Sequence, residues 1–497
     1  MMWWLGCLAA QASSLDLIEV GGAFGTPAAT NPTAVWWNPA GLAVHGGNRV
    51  LVEVAPTLGS VRIDRDNPNY GEINTDNLPP GFPTSYDYSG QDRIGFVGVI
   101  PFVGVQTDLG IDNLGLGAAF YVPFARAGGL DDPNGPNRFM VRDGAIRTLN
   151  VSLAAAYQLA DVISFGVTGS VVRNQYRVDT DTAFYADLLD GGRLAGFDDD
   201  ELQTFQDPYS EQPGYSVQSI FDLADTALTF GAGIYLTPSE RVGISLAYQH
   251  GMRLDNEGDL TLNFDCPPEY DTIARASAEA IGTCNTSVSG TGTIGYRLPG
   301  RIQGGVAFRP TDKLRLEAMG AVVFWSVFTD YEIQPLVAPS AFVEAEGEGN
   351  RVVASQLASV FRPWARDNRT SGWFGLDAKG AVGKVLTLGG RVIYDRAAVP
   401  SSAVSANNYD ADSLLFSGLV DIAAIDRLSV ALSFGHQAFA RRTVTDSAFA
   451  IWADREARPA DPRYFYPSAN GVYRGGITRI GITLRARLGE GHTATDL

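Results

Sequence analysis

The sequence lacks the long apolar run of a membrane-spanning helix. No stretch of about 18 apolar residues occurs in its 497 residues, although 45% of them are hydrophobic. Cationic residues are also scarce, because 37 Lys and Arg stand against 55 Asp and Glu and give a net charge of -18. A nucleic-acid-binding protein needs a basic surface, so the sequence predicts no nucleic-acid partner.

Residues that commonly carry chemistry are few and scattered. The four histidines, His45, His250, His436 and His492, share no metal-ligand spacing, so we expect no metal, no cofactor and no catalytic residue, although spacing leaves open a site assembled in space. Residues 290–295 (GTGTIG) spell a dinucleotide-binding fingerprint, but another strand pattern follows where a helix is required. Asp198 begins an acidic run, which is either a solvated loop or a divalent-cation site.

Alternation of apolar and polar residues is what the sequence does contain. Two alternating runs joined by a tight turn are followed by a long polar excursion, and this unit occurs seven times. Even strand numbers, short periplasmic turns and long extracellular loops characterise bacterial outer-membrane barrels. The fold class predicted is therefore all-β: a transmembrane antiparallel β-barrel with both ends in the periplasm. Its strands are predicted at 48–60, 92–101, 113–124, 146–158, 162–178, 225–236, 241–264, 289–309, 312–333, 371–382, 385–396, 411–422, 427–439 and 474–488.

The two faces of these strands differ in the way that a membrane wall requires. In the last strand, Ile480 and Leu484 alternate with Arg479 and Arg485, and an arginine facing the bilayer midplane would cost about 2 to 4 kcal/mol. We therefore expect Arg391, Arg479 and Arg485 to face the lumen. The alternative, a soluble β-sandwich or propeller, is disfavoured because the chain has no fixed repeat of about 40 to 50 residues and its loops are long on one side only.

The predicted domains are a signal-peptide remnant at 1–12, a hatch at 13–47, the barrel at 48–488 and a periplasmic tail at 489–497. Residues 10–12 (AQA) resemble a signal cleavage site, but no basic region precedes them, so we expect the precursor to begin upstream. A barrel of fourteen strands is wider than its side chains can fill, and the Gly- and Pro-rich hatch is the candidate plug. Cys266 and Cys284 bracket one loop of an exported protein, as a disulfide or as two free thiols.

Four segments carry a family resemblance. Residues 33–43 (TAVWWNPAGLA), 298–312 (LPGRIQGGVAFRPTD), 324–331 (FWSVFTDY) and 394–400 (YDRAAVP) resemble, in the same order, signatures of the long-chain fatty acid outer-membrane transporter family (FadL/TodX). The chain departs from the family at its end, because it continues past Leu488 instead of finishing at an aromatic residue. This departure puts the signal for barrel assembly in doubt.

The resemblance implies a barrel of about fourteen strands, plugged by the hatch, that carries long-chain fatty acids or similar apolar molecules across the bacterial outer membrane. In this picture Trp36, Trp37, Asn38, Pro39 and Ala40 hold the hatch or lie beside the ligand. The cargo leaves sideways through a gap in the wall. The implied partners are this hydrophobic cargo, outer-membrane lipid and lipopolysaccharide, and the barrel assembly machinery, with the protein a monomer and not an enzyme.

The third strand is the place where we expect that gap. Gly115 and Gly117 leave the wall without side chains, and Pro123 cannot donate to a strand ladder, although glycine is also suited to a tightly curved barrel. A lipase-like barrel enzyme and a general porin are the rival functions. An enzyme needs a nucleophile and base within hydrogen-bond reach, and a general porin needs no plug of about 35 residues.

Overall fold

The structure, a computed structural model, is a closed antiparallel β-barrel with a small plug inside it. It describes residues 15–65, 90–183, 192, 195–198, 216–267, 269, 271–336, 364–425, 427–447 and 469–488. The predicted signal remnant at 1–12 and tail at 489–497 lie outside these residues. Of the acidic run that begins at Asp198, only Asp198 itself is described.

The wall is one sheet of twenty strand segments. They are β1 Asn48–Arg65, β2 Gly90–Thr107, β3 Leu114–Tyr121, β4 Ala125–Leu130, β5 Asp143–Leu159, β6 Ile163–Ala183, β7 Ser216–Ser239, β8 Val242–Gln249, β9 Met252–Phe264, β10 Thr286–Leu298, β11 Arg301–Thr311, β12 Leu314–Val323, β13 Asp330–Leu336, β14 Trp364–Ala365, β15 Ser371–Val382, β16 Leu386–Asp395, β17 Ser413–Ile425, β18 Leu428–Phe439, β19 Arg442–Val444 and β20 Gly471–Leu488.

Short interruptions divide six of the barrel strands into these segments. The segments that continue one another along the chain are β3 and β4, β8 and β9, β10 and β11, β12 and β13, β14 and β15, and β18 and β19. In the described part of the chain the segments therefore combine into fourteen barrel strands. β1 pairs with β2 on one side and with β20 on the other, which closes the barrel and confirms the predicted fold class.

The wall has an apolar outer face, as the alternation predicts. Val151, Leu153 and Tyr157 of β5 are exposed, whereas Thr148 and Ser152 on the opposite face of the strand point inward and are buried. Arg391 and Arg479 also point inward and are buried, and the chain places Arg485 on the same face of β20 as Arg479. Lumen and lipid thus impose opposite polarities on alternate residues.

The hatch fills the lumen with short elements rather than strands. The α-helix α1 spans Ala34–Trp37, and 3-10 helices span Gly22–Phe24 and Pro39–Ala43. Almost every described hatch residue up to Ala43 is buried. Because the wall surrounds these residues on all sides, they form a core together with the inward side chains of the barrel.

A second helix lies on the long connection between β9 and β10. This helix, α2, spans Thr272–Ala280, and the Asp271 side chain caps it by accepting from the Ala274 amide. Cys266 and Cys284 form a disulfide that closes the same connection at its base. No helix among the described residues is long and apolar enough to cross a membrane.

Candidate functional site

The Asn-Pro-Ala motif begins the second hatch helix and also fixes it to the wall. Asn38 is the N-cap of the 3-10 helix Pro39–Ala43, where its Oδ1 accepts from the Ala40 amide at 3.1 Å. Pro39 suits the first helical position because its missing N–H would be unpaired there anyway. The Asn38 amide group also donates to the Ile234 carbonyl of β7 at 3.0 Å. One side chain thus caps the helix and joins it to the barrel.

The two tryptophans of the motif have different surroundings. The Trp37 indole donates to the Val20 carbonyl at 2.8 Å and packs edge-on against Trp373 of β15. The Trp36 ring lies 5.3 Å from that of Tyr121 and beneath the Arg301 guanidinium. Its buried Nε1 has no hydrogen-bond partner among the described residues. Trp37 is therefore a fixed part of the hatch, whereas Trp36 borders unfilled space.

Inward-pointing side chains of the wall bind the hatch backbone. Gln303 donates to the Trp37 carbonyl at 2.6 Å, and Gln106 donates to the Leu42 carbonyl at 2.9 Å. Arg315 donates to the Ala28 carbonyl, and the Ala28 amide donates to the Glu317 carboxylate. The hatch has little regular structure of its own, so these contacts supply partners that its backbone would otherwise lack.

Two of the predicted lumen arginines also hold the hatch. Arg391 donates to the carbonyls of Gly22 and Ala23 at 3.2 and 3.1 Å. Arg479 donates to the Glu19 carbonyl at 2.6 Å and to the Glu53 carboxylate at 2.9 Å. Arg485 pairs with Asp421 and lies 4.0 Å above the Phe24 ring. All three predicted residues therefore contact the hatch or its surroundings.

The wall has a break in the third barrel strand. The ladder between β2 and β3 ends at Phe102 and Tyr121, and that between β2 and β4 begins only at Gly95 and Gly129. Residues 96–101 and 122–128 consequently face each other without pairing, and we call this region the wall break. Pro123 lies within it, in the strand where the sequence predicts a gap.

Gly115 and Gly117 lie outside the wall break, which differs from the sequence-based prediction. Both are paired in the ladder between β3 and β5. A Cβ at Gly115 would lie 2.3 Å from the Leu42 carbonyl carbon, and one at Gly117 would lie 2.7 Å from Val35. The missing side chains therefore let the hatch approach the wall and do not open it.

The N-terminal end of the hatch covers the wall break from inside. Leu17 donates to the Pro123 carbonyl, and Ala125 donates to the Leu15 carbonyl, both at 2.9 Å. Between these bonds, Asp16 forms a bidentate ion pair with Arg301 of β11 at 2.8 and 2.9 Å, with both side chains at most 1% exposed. The hatch thus supplies the strand partner that β2 does not.

A cavity of about 40 Å³ adjoins the wall break on the lumen side. Its lining combines β2 (Ile94, Phe96), β4 (Arg126) and residues from other strands and loops, among them Tyr176 and Tyr409. Tyr176 belongs to a buried aromatic cluster with Tyr296, Phe328 and Tyr331, whose neighbouring rings lie 5.1 to 6.0 Å apart.

Two arginines lie at this cavity and cluster. Arg126 donates to the Ala406 carbonyl at 2.8 Å, and Arg366 donates to the Asn407 carbonyl at 3.1 Å while its guanidinium covers the Tyr331 ring at 4.4 Å. Within the described part of the chain, neither forms an ion pair with a carboxylate. Sequence reasoning missed both, because an arginine near a strand end or loop resembles any solvated cation.

The comparisons with known proteins agree with this geometry. Residues 7–451 match the family model described as outer membrane protein transport protein (OMPP1/FadL/TodX). No curated protein matches the sequence.

Solved structures of the same shape share little sequence with the chain. A FadL homologue of Pseudomonas aeruginosa superposes with a TM-score of 0.69 at 16% identity, covering 97% of this chain and 99% of that one. The toluene transporters TbuX of Ralstonia pickettii and TodX of Pseudomonas putida superpose with TM-scores of 0.58 and 0.59 at 15% and 12% identity. They cover 97% and 98% of this chain, and 99% of each of theirs.

Proposed function

Because the chain belongs to the outer membrane protein transport family (OMPP1/FadL/TodX) and is an outer-membrane carrier of hydrophobic compounds, we propose that it carries long-chain fatty acids or similar apolar molecules with an acidic head group. The cargo passes through the plugged barrel and leaves sideways into the bilayer. No covalent chemistry is involved.

The wall break is the observation that carries the proposed route. An intact ladder of hydrogen bonds leaves no opening for a solute, whereas residues 96–101 and 122–128 have no ladder between them. The hatch segment that covers the break from inside is joined to Pro123 and Ala125 by two backbone bonds. Displacing that short segment would connect the lumen cavity with the lipid without unfolding any barrel strand.

Arg126 and Arg366 support an acidic head group. A guanidinium is a bidentate partner for a carboxylate, and these two lie at the cavity and aromatic cluster without carboxylate ion pairs among the described residues. The aromatic cluster itself favours a second candidate cargo, neutral aromatic hydrocarbons, because apolar rings bind such molecules without any charge.

Uptake by cells that lack other channels for these compounds separates the two cargoes. We expect the chain to accelerate uptake of radiolabelled oleate over cells with an empty vector. Arg126→Met combined with Arg366→Met should lower oleate uptake about tenfold or more, since a hydrogen bond to a charged group contributes about 1.5 to 3 kcal/mol. Arg173→Met, an arginine on the outer face of β6, is the matched control.

Each outcome of this assay has one meaning. Oleate uptake no faster than the empty vector would refute fatty acid transport. Toluene uptake that the double arginine variant leaves unchanged, together with slow oleate uptake by the wild-type chain, would favour the neutral cargo.

The lateral route has its own test at β2. Val99 lies on the outer side of the wall break, and Val105 lies on the same face of the same strand, where the ladder with Ala118 is intact. A bulky membrane-permeant maleimide on Val99→Cys should lower oleate uptake at least fivefold, but on Val105→Cys it should not. Equal uptake by both labelled variants would exclude this exit.

The proposal extends to the assembly of the protein. One chain closes its own barrel and holds its own hatch, so we expect a monomer in lipid and lipopolysaccharide, inserted by the barrel assembly machinery. Light scattering on protein extracted with a mild detergent tests the monomer, and an oligomeric mass would contradict it.

A further inference from the structure

The wall contains a second discontinuity, between β7 and the barrel strand formed by β8 and β9. The ladder between β7 and β8 ends at Gly231 and Gln249, and the one between β7 and β9 begins at Ala224 and Glu257. Residues 225–230 and 250–256 therefore face each other without a ladder between them, and we call this region the seam. β7 is fully paired with β6 on its other side, so only the seam is affected.

Two neighbouring strands are interrupted beside the seam. Gly251 separates β8 from β9, and Pro299 and Gly300 separate β10 from β11 at the same height. A Cβ at Gly251 would lie 2.6 Å from the Leu298 carbonyl oxygen, and one at Gly300 would lie 2.8 Å from that of Gln249. The two interruptions therefore lie in close backbone contact, which leaves no room for a side chain at either glycine.

Side chains hold the seam closed where the ladder is missing. Thr229 donates to the His250 carbonyl at 2.8 Å, and the Asp225 carboxylate accepts from the Asp255 amide at 2.8 Å. One backbone bond remains, from the His250 amide to the Phe230 carbonyl. On the outer face the rings of Phe230 and His250 stack at 4.7 Å. Separating these groups breaks fewer backbone bonds than separating an intact ladder.

The seam connects the hatch with the lipid-facing surface. A cavity of about 20 Å³ is lined on the lumen side by Trp36, Tyr121 and Phe124 and on the wall side by Thr229 and His250. The buried Trp36 Nε1 and Gln249 Oε1, both from residues that line it, have no hydrogen-bond partner among the described residues. These atoms are a donor and an acceptor suited to the polar end of an otherwise apolar molecule.

The outer mouth of the seam borders an apolar groove. Tyr248 contacts both Phe230 and His250, and it also lines a groove of about 620 Å³ with Phe165, Ile234, Leu246 and Ile302. A molecule that passes the seam would therefore meet apolar surface at once, where burial of its hydrocarbon is favourable.

From these observations we infer that the seam is a second lateral portal, through which an apolar molecule with one polar end passes between the lumen beside Trp36 and the bilayer. This inference rests on the proposed function. The closed cavity holds about one water molecule, so the seam must widen for cargo to pass. Tyr121 borders the wall break, Phe124 lies within it, and both also line this cavity. The two openings therefore lie beside the same part of the hatch.

A disulfide across the seam tests the portal. In the full-length chain, Phe230→Cys with His250→Cys joins two side chains that already stack across the seam. Leu388→Cys with Val420→Cys, exposed direct partners in the intact ladder between β16 and β17, is the matched control. We expect oxidation to lower oleate uptake at least twofold in the first variant and to leave it unchanged in the second. The wild-type chain is oxidised and reduced in parallel as a further control, because the same treatment also acts on its own disulfide between Cys266 and Cys284.

The possible failures are distinguishable. Restoration of uptake on reduction, in protein that still migrates as a folded barrel, supports the portal. Unchanged uptake at complete cross-linking would overturn the portal alone. Absence of any oleate uptake above the empty vector by the wild-type chain would overturn the proposed function and the portal with it.

Discussion

At the scale of single residues, buried charge joins the hatch to the wall. Asp16 and Arg301 pair where both are almost completely withdrawn from solvent, and Glu19 lies 3.8 Å from both Arg391 and Arg479. Such pairs contribute little net stability, because each charge loses its hydration, but removing one partner leaves an uncompensated buried charge. They therefore make the position of the hatch specific.

Arg301→Met should release the N-terminal end of the hatch from the wall break. The change leaves the Asp16 carboxylate buried without its partner, at a cost of about 3 to 5 kcal/mol. We expect thiol labelling of a cysteine at Leu17 to become at least tenfold faster. Arg173→Met is the control, and labelling as slow as in the parent protein would contradict the role given to this pair. In the background of Asp16→Asn, the effect should be much smaller.

Gly117→Val should displace the hatch. The new Cβ would lie 2.7 Å from Val35 and 2.9 Å from Leu42, so the hatch must move away from β3. Single-channel conductance in planar bilayers should rise. Gly169→Val is the matched control, since a Cβ at Gly169 of β6 meets nothing within 4 Å. A conductance equal to that of the control would mean that the hatch tolerates the change.

At the scale of elements, the hatch and the wall complete each other. The hatch contains one short α-helix and 3-10 turns, which alone bury too little apolar surface to offset the loss of chain entropy. The barrel without the hatch has an interior wider than its side chains fill. The two parts therefore share one core, and the wall break has its missing strand partner in residues 15–17.

Deletion of residues 13–45 should leave a barrel that still inserts and conducts ions far better. The ladders that close the wall involve no residue of the deleted segment, whereas the deletion removes the plug. Conductance in planar bilayers should rise severalfold or more. An unchanged conductance in a variant shown to be folded would mean that residues 13–45 do not obstruct the lumen.

At the scale of the whole molecule, closure of the sheet determines stability in the membrane. β20 pairs with both β1 and β18, so the sheet formed by the described strands closes on itself. Closure matters because an unpaired backbone group in lipid costs several kcal/mol. Closure of the barrel therefore requires β20, the last strand along the chain.

The folded protein should migrate differently on gels before and after boiling, because a closed barrel resists unfolding in detergent. Removal of residues 471–488 deletes both closing ladders and should abolish the difference. The intact chain should also fractionate with outer membranes. Recovery of a soluble protein without a heat-modifiable form would contradict the closed barrel.

The sequence by itself determined the wall. Period-two alternation reports which face of each strand meets lipid. It placed Ile480 and Leu484 outside and Arg479 inside, because hydrocarbon excludes charge locally at every strand. The fourteen strands and the hatch follow from this pattern and from the turn and loop residues that separate its runs. The cap that Asn38 forms on residue 40 is also determined locally, because the two residues are only two positions apart.

Only the tertiary structure decided which residues meet inside the barrel. Asp16 and Arg301 are 285 residues apart, and Gly117 has its role only because Val35 and Leu42 approach it from the hatch. The seam and the wall break are likewise relations between strands, set by the strand interruptions at Pro123, Gly251 and Gly300 and by the register on either side. Alternation reports the polarity of an environment, but it carries no information about which strand or plug residue supplies it.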